Sequence, residues 1–83
     1  MTIWKFRLAD IIDMPLGAKP LCVQTQGDTA FIWAAVNPNL PLAPRRFYVI
    51  GTGHPVGAVG GYLGTYQLSG GALVFHVFEG GAA

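Results

Sequence analysis

Glycine and proline interrupt this chain so often that no long helix fits between them. Twelve Gly and 6 Pro stand among 83 residues. Glycine favours turns because it accepts positive φ, and proline removes a backbone donor and ends regular ladders. The segments left between the breaks have the length of single strands. Nowhere do 18 apolar residues run without a charge, a Gly or a Pro, so no helix is expected to span a membrane. A chain this short makes one domain, covering 1–83, and buries roughly 60% of its unfolded surface. A two-domain enzyme is excluded. With 52% hydrophobic and 11% charged residues, against a usual charged share of about 25%, the chain has ample material for a core, and disorder is excluded as well.

Within the segments, the side-chain period is that of strands. From Thr2 to Leu8, Trp4, Phe6 and Leu8 alternate with Lys5 and Arg7, as in a half-buried strand. Leu21, Val23 and Thr25 alternate with Cys22, Gln24 and Gln26, and Gly27-Asp28 supplies a tight reversal into Ala30–Val36. That second arm is apolar on both faces, the mark of a central or covered strand. Phe47–Ile50 is a short strand, and Tyr62–Leu68 and Ala72–Glu79 form a second hairpin around Ser69-Gly70-Gly71. Residues 9–20 carry Pro15 and Pro20 and read as a connection, with a short helix over 9–19 as the α+β alternative. Asn37–Pro44 holds three prolines and reads as an extended, exposed loop. Gly51–Gly61 is a Gly-rich loop, and 80–83 a frayed tail. The expected fold is mainly β: a compact antiparallel sheet of about six strands, closed as a small barrel or sandwich, with at most one short helix.

The residues that carry chemistry are few and scattered. Gly51, Gly53 and Gly57 do not give the G-x-G-x-x-G spacing of a dinucleotide site, and strand material follows them where a helix would be needed. His54 and His76 are the only imidazoles. His76 sits among Val74, Phe75, Val77 and Phe78 and reads as a structural, hydrogen-bonded side chain. His54, before Pro55 in an exposed loop, is the better binding candidate. No Ser, Thr or Cys has a base at a recognisable family spacing. Asp10, Asp13, Asp28 and Glu79 sit in separate turns and ends. The two histidines lie 22 residues apart and Cys22 another 32 away, without the local pairing of a metal site. No catalytic residue, metal or cofactor is assigned.

Charge and cysteine content bound the partners. Five basic and four acidic residues leave a formal charge of +1, too little for a phosphate-seeking face or an acidic mimic of DNA. Arg45, Arg46, Lys5 and Arg7 beside exposed tyrosines make a single-strand-binding face an alternative reading, though so few cations weigh against nucleic acid. Cys22 alone forms no internal disulfide, in keeping with a reducing cytosol. The start, Met-Thr-Ile-Trp-Lys-Phe-Arg, does not read as a signal peptide. The excess of apolar positions in Ala30–Val36 and Ala72–Phe78 needs cover. It calls for a second sheet layer, a homodimer mate or another protein, or internally for a loop such as Leu40–Pro44.

Several motifs also carry a resemblance: Trp4-Lys5-Phe6, Met14-Pro15, Ile32-Trp33-Ala34 with Val36-Asn37-Pro38, Gly51-Thr52-Gly53-His54-Pro55, and Gly70-Gly71-Ala72-Leu73-Val74-Phe75-His76-Val77-Phe78-Glu79. Over nearly its whole length the chain resembles a family of short, uncharacterised phage and prophage proteins. The resemblance implies a phage origin and a place of action in the host cytoplasm. Small phage proteins without enzyme constellations commonly block a host machine. By that analogy the expected function is a non-enzymatic binding protein that inhibits a host defence complex, in particular an anti-CRISPR acting on a type I surveillance complex. The residues expected to meet the partner are Arg45 and Arg46, His54, Lys5 and Arg7. A nucleic-acid- or nucleotide-binding small barrel and a self-associating structural phage component are the alternatives.

Overall fold

Every segment read as a strand is one in the computed structural model, which describes residues 1–80. The strands are β1 (Thr2–Arg7), β2 (Ile11–Pro15), β3 (Lys19–Gln26), β4 (Thr29–Val36), β5 (Leu42–Gly51), β6 (Tyr62–Leu68) and β7 (Leu73–Glu79). A single 3-10 turn, Ser69–Gly71, joins the last two. All pairings are antiparallel: β1-β4-β3 form a three-stranded sheet and β2-β5-β7-β6 a four-stranded one. The two sheets make a sandwich and not a closed barrel. The strands apolar on both faces, β4 and β7, each lie between two neighbours, as their composition requires.

The core lies between the layers. Ile32, Ala34 and Val36 of β4 meet Ile12 and Met14 of β2, Phe47 of β5 and Val77 of β7, and Val23 and Ala18 complete the cluster. Burying an aliphatic or aromatic side chain fully contributes about 1.5–3 kcal/mol, and Met14, Ile32, Val36, Phe47 and Val77 are essentially inaccessible. β6 approaches β3 so closely that a Cβ on Gly64 would stand 2.7 Å from Val23 Cγ1. One extra residue in β6 between Tyr62 and Gly64 bulges against β7. The bulge lets Leu63 pack on the core without disturbing Tyr62.

Two expectations are corrected. Residues 9–20 are neither a plain connection nor a helix: Ile11–Pro15 is a seventh strand, with Ile12 and Met14 buried and Ile11 and Asp13 exposed. The stretch expected as a Pro-rich loop is shorter, because Leu42, Ala43 and Pro44 begin β5 and pair with Pro15, Met14 and Asp13. Neither proline loses a ladder bond. The Leu16 amide donates to Pro41 O at 2.9 Å and the Phe47 amide to Asp10 O at 2.8 Å. These bonds place Pro15 and Pro44 in the non-hydrogen-bonded pairs, where the amide position points away from the partner strand. Leu40–Pro44 therefore does not cover either outer face. Of the expected tail, Gly80 donates to Arg46 O at 2.5 Å, and 81–83 lie outside the described residues.

Candidate functional site

Alternation along β4 sends Ile32, Ala34 and Val36 inward and turns Phe31, Trp33 and Ala35 out. The register sets β1 beside them, with Arg7 opposite Phe31, Lys5 opposite Trp33 and Ile3 opposite Ala35. On the other flank β3 brings Gln24 to Phe31, Cys22 to Trp33 and Lys19 to Ala35. The outer face of this sheet thus has two half-buried aromatic rings in its middle and three cations around them, with no carboxylate at any of these positions. The rings are 6.0 Å apart and tilted by 60°. The Lys5 ammonium stands 4.6 Å from the Phe31 centroid and donates to Gln26 Oε1 at 2.8 Å. The Lys5 ammonium thus covers one face of the Phe31 ring and is held there by Gln26, while Trp33 lies beside it on the same face.

The outer face of the four-stranded sheet carries a different set. Tyr48, Phe78 and Tyr62 form a cross-strand row, with Tyr62 and Phe78 edge-on at 5.5 Å. The Arg46 guanidinium stands 5.1 Å from the Tyr48 centroid. Beside this row a chain of hydrogen bonds runs from Tyr62 Oη to Thr65 Oγ1 (2.5 Å), from Thr65 to His76 Nδ1 (2.9 Å), and from His76 Nε2 to Thr52 Oγ1 (2.7 Å). Thr52 Oγ1 donates in turn to Val74 O at 3.4 Å. With one hydrogen per hydroxyl, the whole chain is satisfied by the neutral imidazole protonated at Nε2. Both ring nitrogens are engaged by hydroxyls, so no carboxylate orients the imidazole as a catalytic triad requires. The network ties β6 and β7 to Thr52, just past the end of β5. Among the described residues no group of three His, Cys, Asp or Glu is placed to hold a metal ion.

The five residues expected to meet a partner do not converge. Lys5 and Arg7 share the outer face of the three-stranded sheet. Arg46 lies on the outer face of the other sheet. His54 sits in the exposed loop after β5, its ring over Gly51 and its amide bonded to Gly51 O at 3.0 Å. Arg45 turns the other way from Arg46: its Nε donates to Glu79 Oε2 at 2.6 Å and its Nη1 to Ala18 O at 2.9 Å. It ties β5 and β7 to the β2–β3 turn and presents little to a ligand. Sequence reading missed Phe31 and Trp33 as site residues, since they read only as an apolar surplus. The signal was the cation-aromatic alternation in β1 beside a two-faced β4, and it becomes a site only through the β1–β4 register, which is a long-range fact.

No curated protein and no solved structure shows a significant match to the chain. The family comparison covers it from end to end. By that match, over residues 1–83, the chain belongs to the family described as Domain of unknown function (DUF7352).

Proposed function

We propose that this is a non-enzymatic binding protein that acts by occupying a protein partner's surface with the outer face of its three-stranded sheet. One observation carries this reading: Phe31 and Trp33 lie half-buried at the centre of that face, ringed by Lys5, Arg7 and Lys19. Interfaces draw most of their binding energy from aromatic and Arg anchors set in a polar rim. The partner's complementary surface is an apolar patch flanked by carboxylates. In its specific form the proposal is a phage-encoded inhibitor of a host defence complex, an anti-CRISPR against a type I surveillance complex in the host cytoplasm. That form is supported only by the resemblance to short phage and prophage proteins. Binding of the purified protein to a purified type I complex, with loss of target cleavage, tests it. Absence of both removes the specific form, and retention of no host protein at all removes the general one.

A second reading has an observation of its own. Trp33, with the cations Lys5 and Arg7 on the neighbouring strand, resembles the ring-and-cation surfaces on which single-stranded nucleic acids lie. Net charge of +1 weighs against it. Oligonucleotide affinity that falls steeply with salt would favour this reading over the first.

A further inference from the structure

Each sheet has two edge strands, and β2, β3 and β6 are all poorly made for pairing with a further strand. β2 is short and holds Pro15 and the carboxylate of Asp13. β3 holds Pro20 and a bulge between Pro20 and Cys22, and β6 a bulge between Tyr62 and Gly64. Short length, prolines and bulges are the devices by which edges avoid another chain. β1, the remaining edge, has no proline, glycine or bulge. The Leu8 amide donates to Ala30 O at 3.0 Å, which sets the phase of its ladder. The backbone groups of Thr2, Trp4 and Phe6 face β4, and those of Ile3, Lys5 and Arg7 face the open edge. Among the described residues no backbone group meets them there. What guards this edge is charge alone, since Lys5 and Arg7 alternate along it.

We infer that the β1 edge accepts an extended acidic segment of a protein partner, paired antiparallel, with its carboxylates opposite Lys5 and Arg7. Charge complementarity selects this occupant. On the outer face the neighbours of Lys5 and Arg7 are Phe31 and Trp33 of β4, and Lys19 lies beyond on β3, so no carboxylate on these strands answers the cations. Asp28 shares a cleft with Arg7 but forms no ion pair with it. A second β1 would set cation against cation, which destabilises a cross-strand pair. A nucleic-acid backbone would suit the cations but leave the open carbonyls of Ile3, Lys5 and Arg7 facing phosphates. Only a strand offers donors and acceptors in turn, with side-chain pairs to give specificity. Residues of that strand directly opposite Lys5 and Arg7 share their outer face. Those between fall beside Trp4 and Phe6 on the inner side, where Trp4 is still 38% exposed and apolar cover stabilises. The segment therefore alternates Asp or Glu with apolar residues, and the same cations that attract it exclude basic strands. This inference rests on the reading of the three-stranded sheet as the partner-facing side, and adds the mode of engagement and the partner's chemistry.

Calorimetric titration of the full chain with short capped peptides tests this. A peptide alternating Glu and Val is expected to bind at least about tenfold more tightly than one alternating Lys and Val. In an antiparallel ladder the backbone groups that meet Lys5 and Arg7 belong to the residues directly opposite, here the Glu residues. N-methylation of the Glu amides therefore abolishes binding, and N-methylation of the Val amides leaves it intact. Arg7→Glu, at an exposed position where folding is not at stake, brings the two peptides to within about threefold of each other. No binding of the Glu peptide overturns the inference. Equal effects of the two methylations, or a preference that Arg7→Glu leaves unchanged, also overturn it. So does a dimer of the chain that the Glu peptide fails to dissociate, or an oligothymidine that binds more tightly than the Glu peptide. Trp33→Ala, read on a captured partner, reports on the docking face separately, so that face and this edge can each fail alone.

Discussion

Arg45 and Arg46 are neighbours with opposite tasks, because adjacent residues of a strand point to opposite faces. Arg45 satisfies Glu79 and the Ala18 carbonyl at the margin of the core. The two side chains of the pair are only 25% and 29% exposed, so the charge-assisted bonds are partly shielded from water. Arg45→Ala is expected to lower stability by about 1–2 kcal/mol, read as a shifted urea midpoint with an unchanged slope. Gly64→Ala drives a methyl against the buried Val23 and is expected to cost about 1–3 kcal/mol, measured in the same way. Tyr66 supplies a pH dependence. Burial raises its phenol above the usual 10.0, so its contribution is intact at neutral pH. As pH rises past about 10 the unfolded chain ionises this group first, and stability falls until the folded form also titrates. Alkaline unfolding curves check this, with Tyr66→Phe expected to lose less stability across that range.

At the scale of elements, alternation together with apolar, β-branched and aromatic runs bracketed by turns was enough to locate six strands, and the Gly27 and Ser69–Gly71 reversals were enough to pair four of them as hairpins. β2 escaped because its cues conflict. Ile11-Ile12-Asp13-Met14-Pro15 is short and ends in proline, and proline argues against a strand unless its amide position is known to lie on a free edge. That knowledge depends on the register with β5, which no local pattern contains. The same partner strand turned the expected 42–44 loop into the start of β5. β2 nevertheless supplies Met14, which is fully buried. Met14→Ala is expected to cost about 2–5 kcal/mol, seen in thermal or urea unfolding. A loss below about 1 kcal/mol would mean that β2 packs as a loosely attached edge.

As a whole the molecule is a plate, 40 × 31 × 15 Å along its principal axes. Its thin dimension holds two layers spaced by about 10 Å, and a plate of this size leaves both outer faces bare. That shape answers the apolar surplus read from the sequence. One set of apolar side chains fills the space between the sheets, and the other lies half-covered on the outside, rimmed by cations on one face and by tyrosines, Arg46 and the His76 network on the other. The chemistry of the candidate site was therefore legible as residue types, Lys5 and Arg7 among them, while its assembly was not, since Phe31 and Trp33 join those cations only across paired strands. In the proposed function the Phe31–Trp33 face is the docking surface. Quantitative affinity capture of host proteins tests it most directly, comparing wild type with Lys5→Glu/Trp33→Ala and with Arg46→Glu/Tyr48→Ala. The first variant is expected to lose at least about thirtyfold in affinity for the captured partner, as when an anchor is removed, and the second to retain it. Full retention by the first variant, with loss by the second, would place docking on the other face and rule out the Phe31–Trp33 surface.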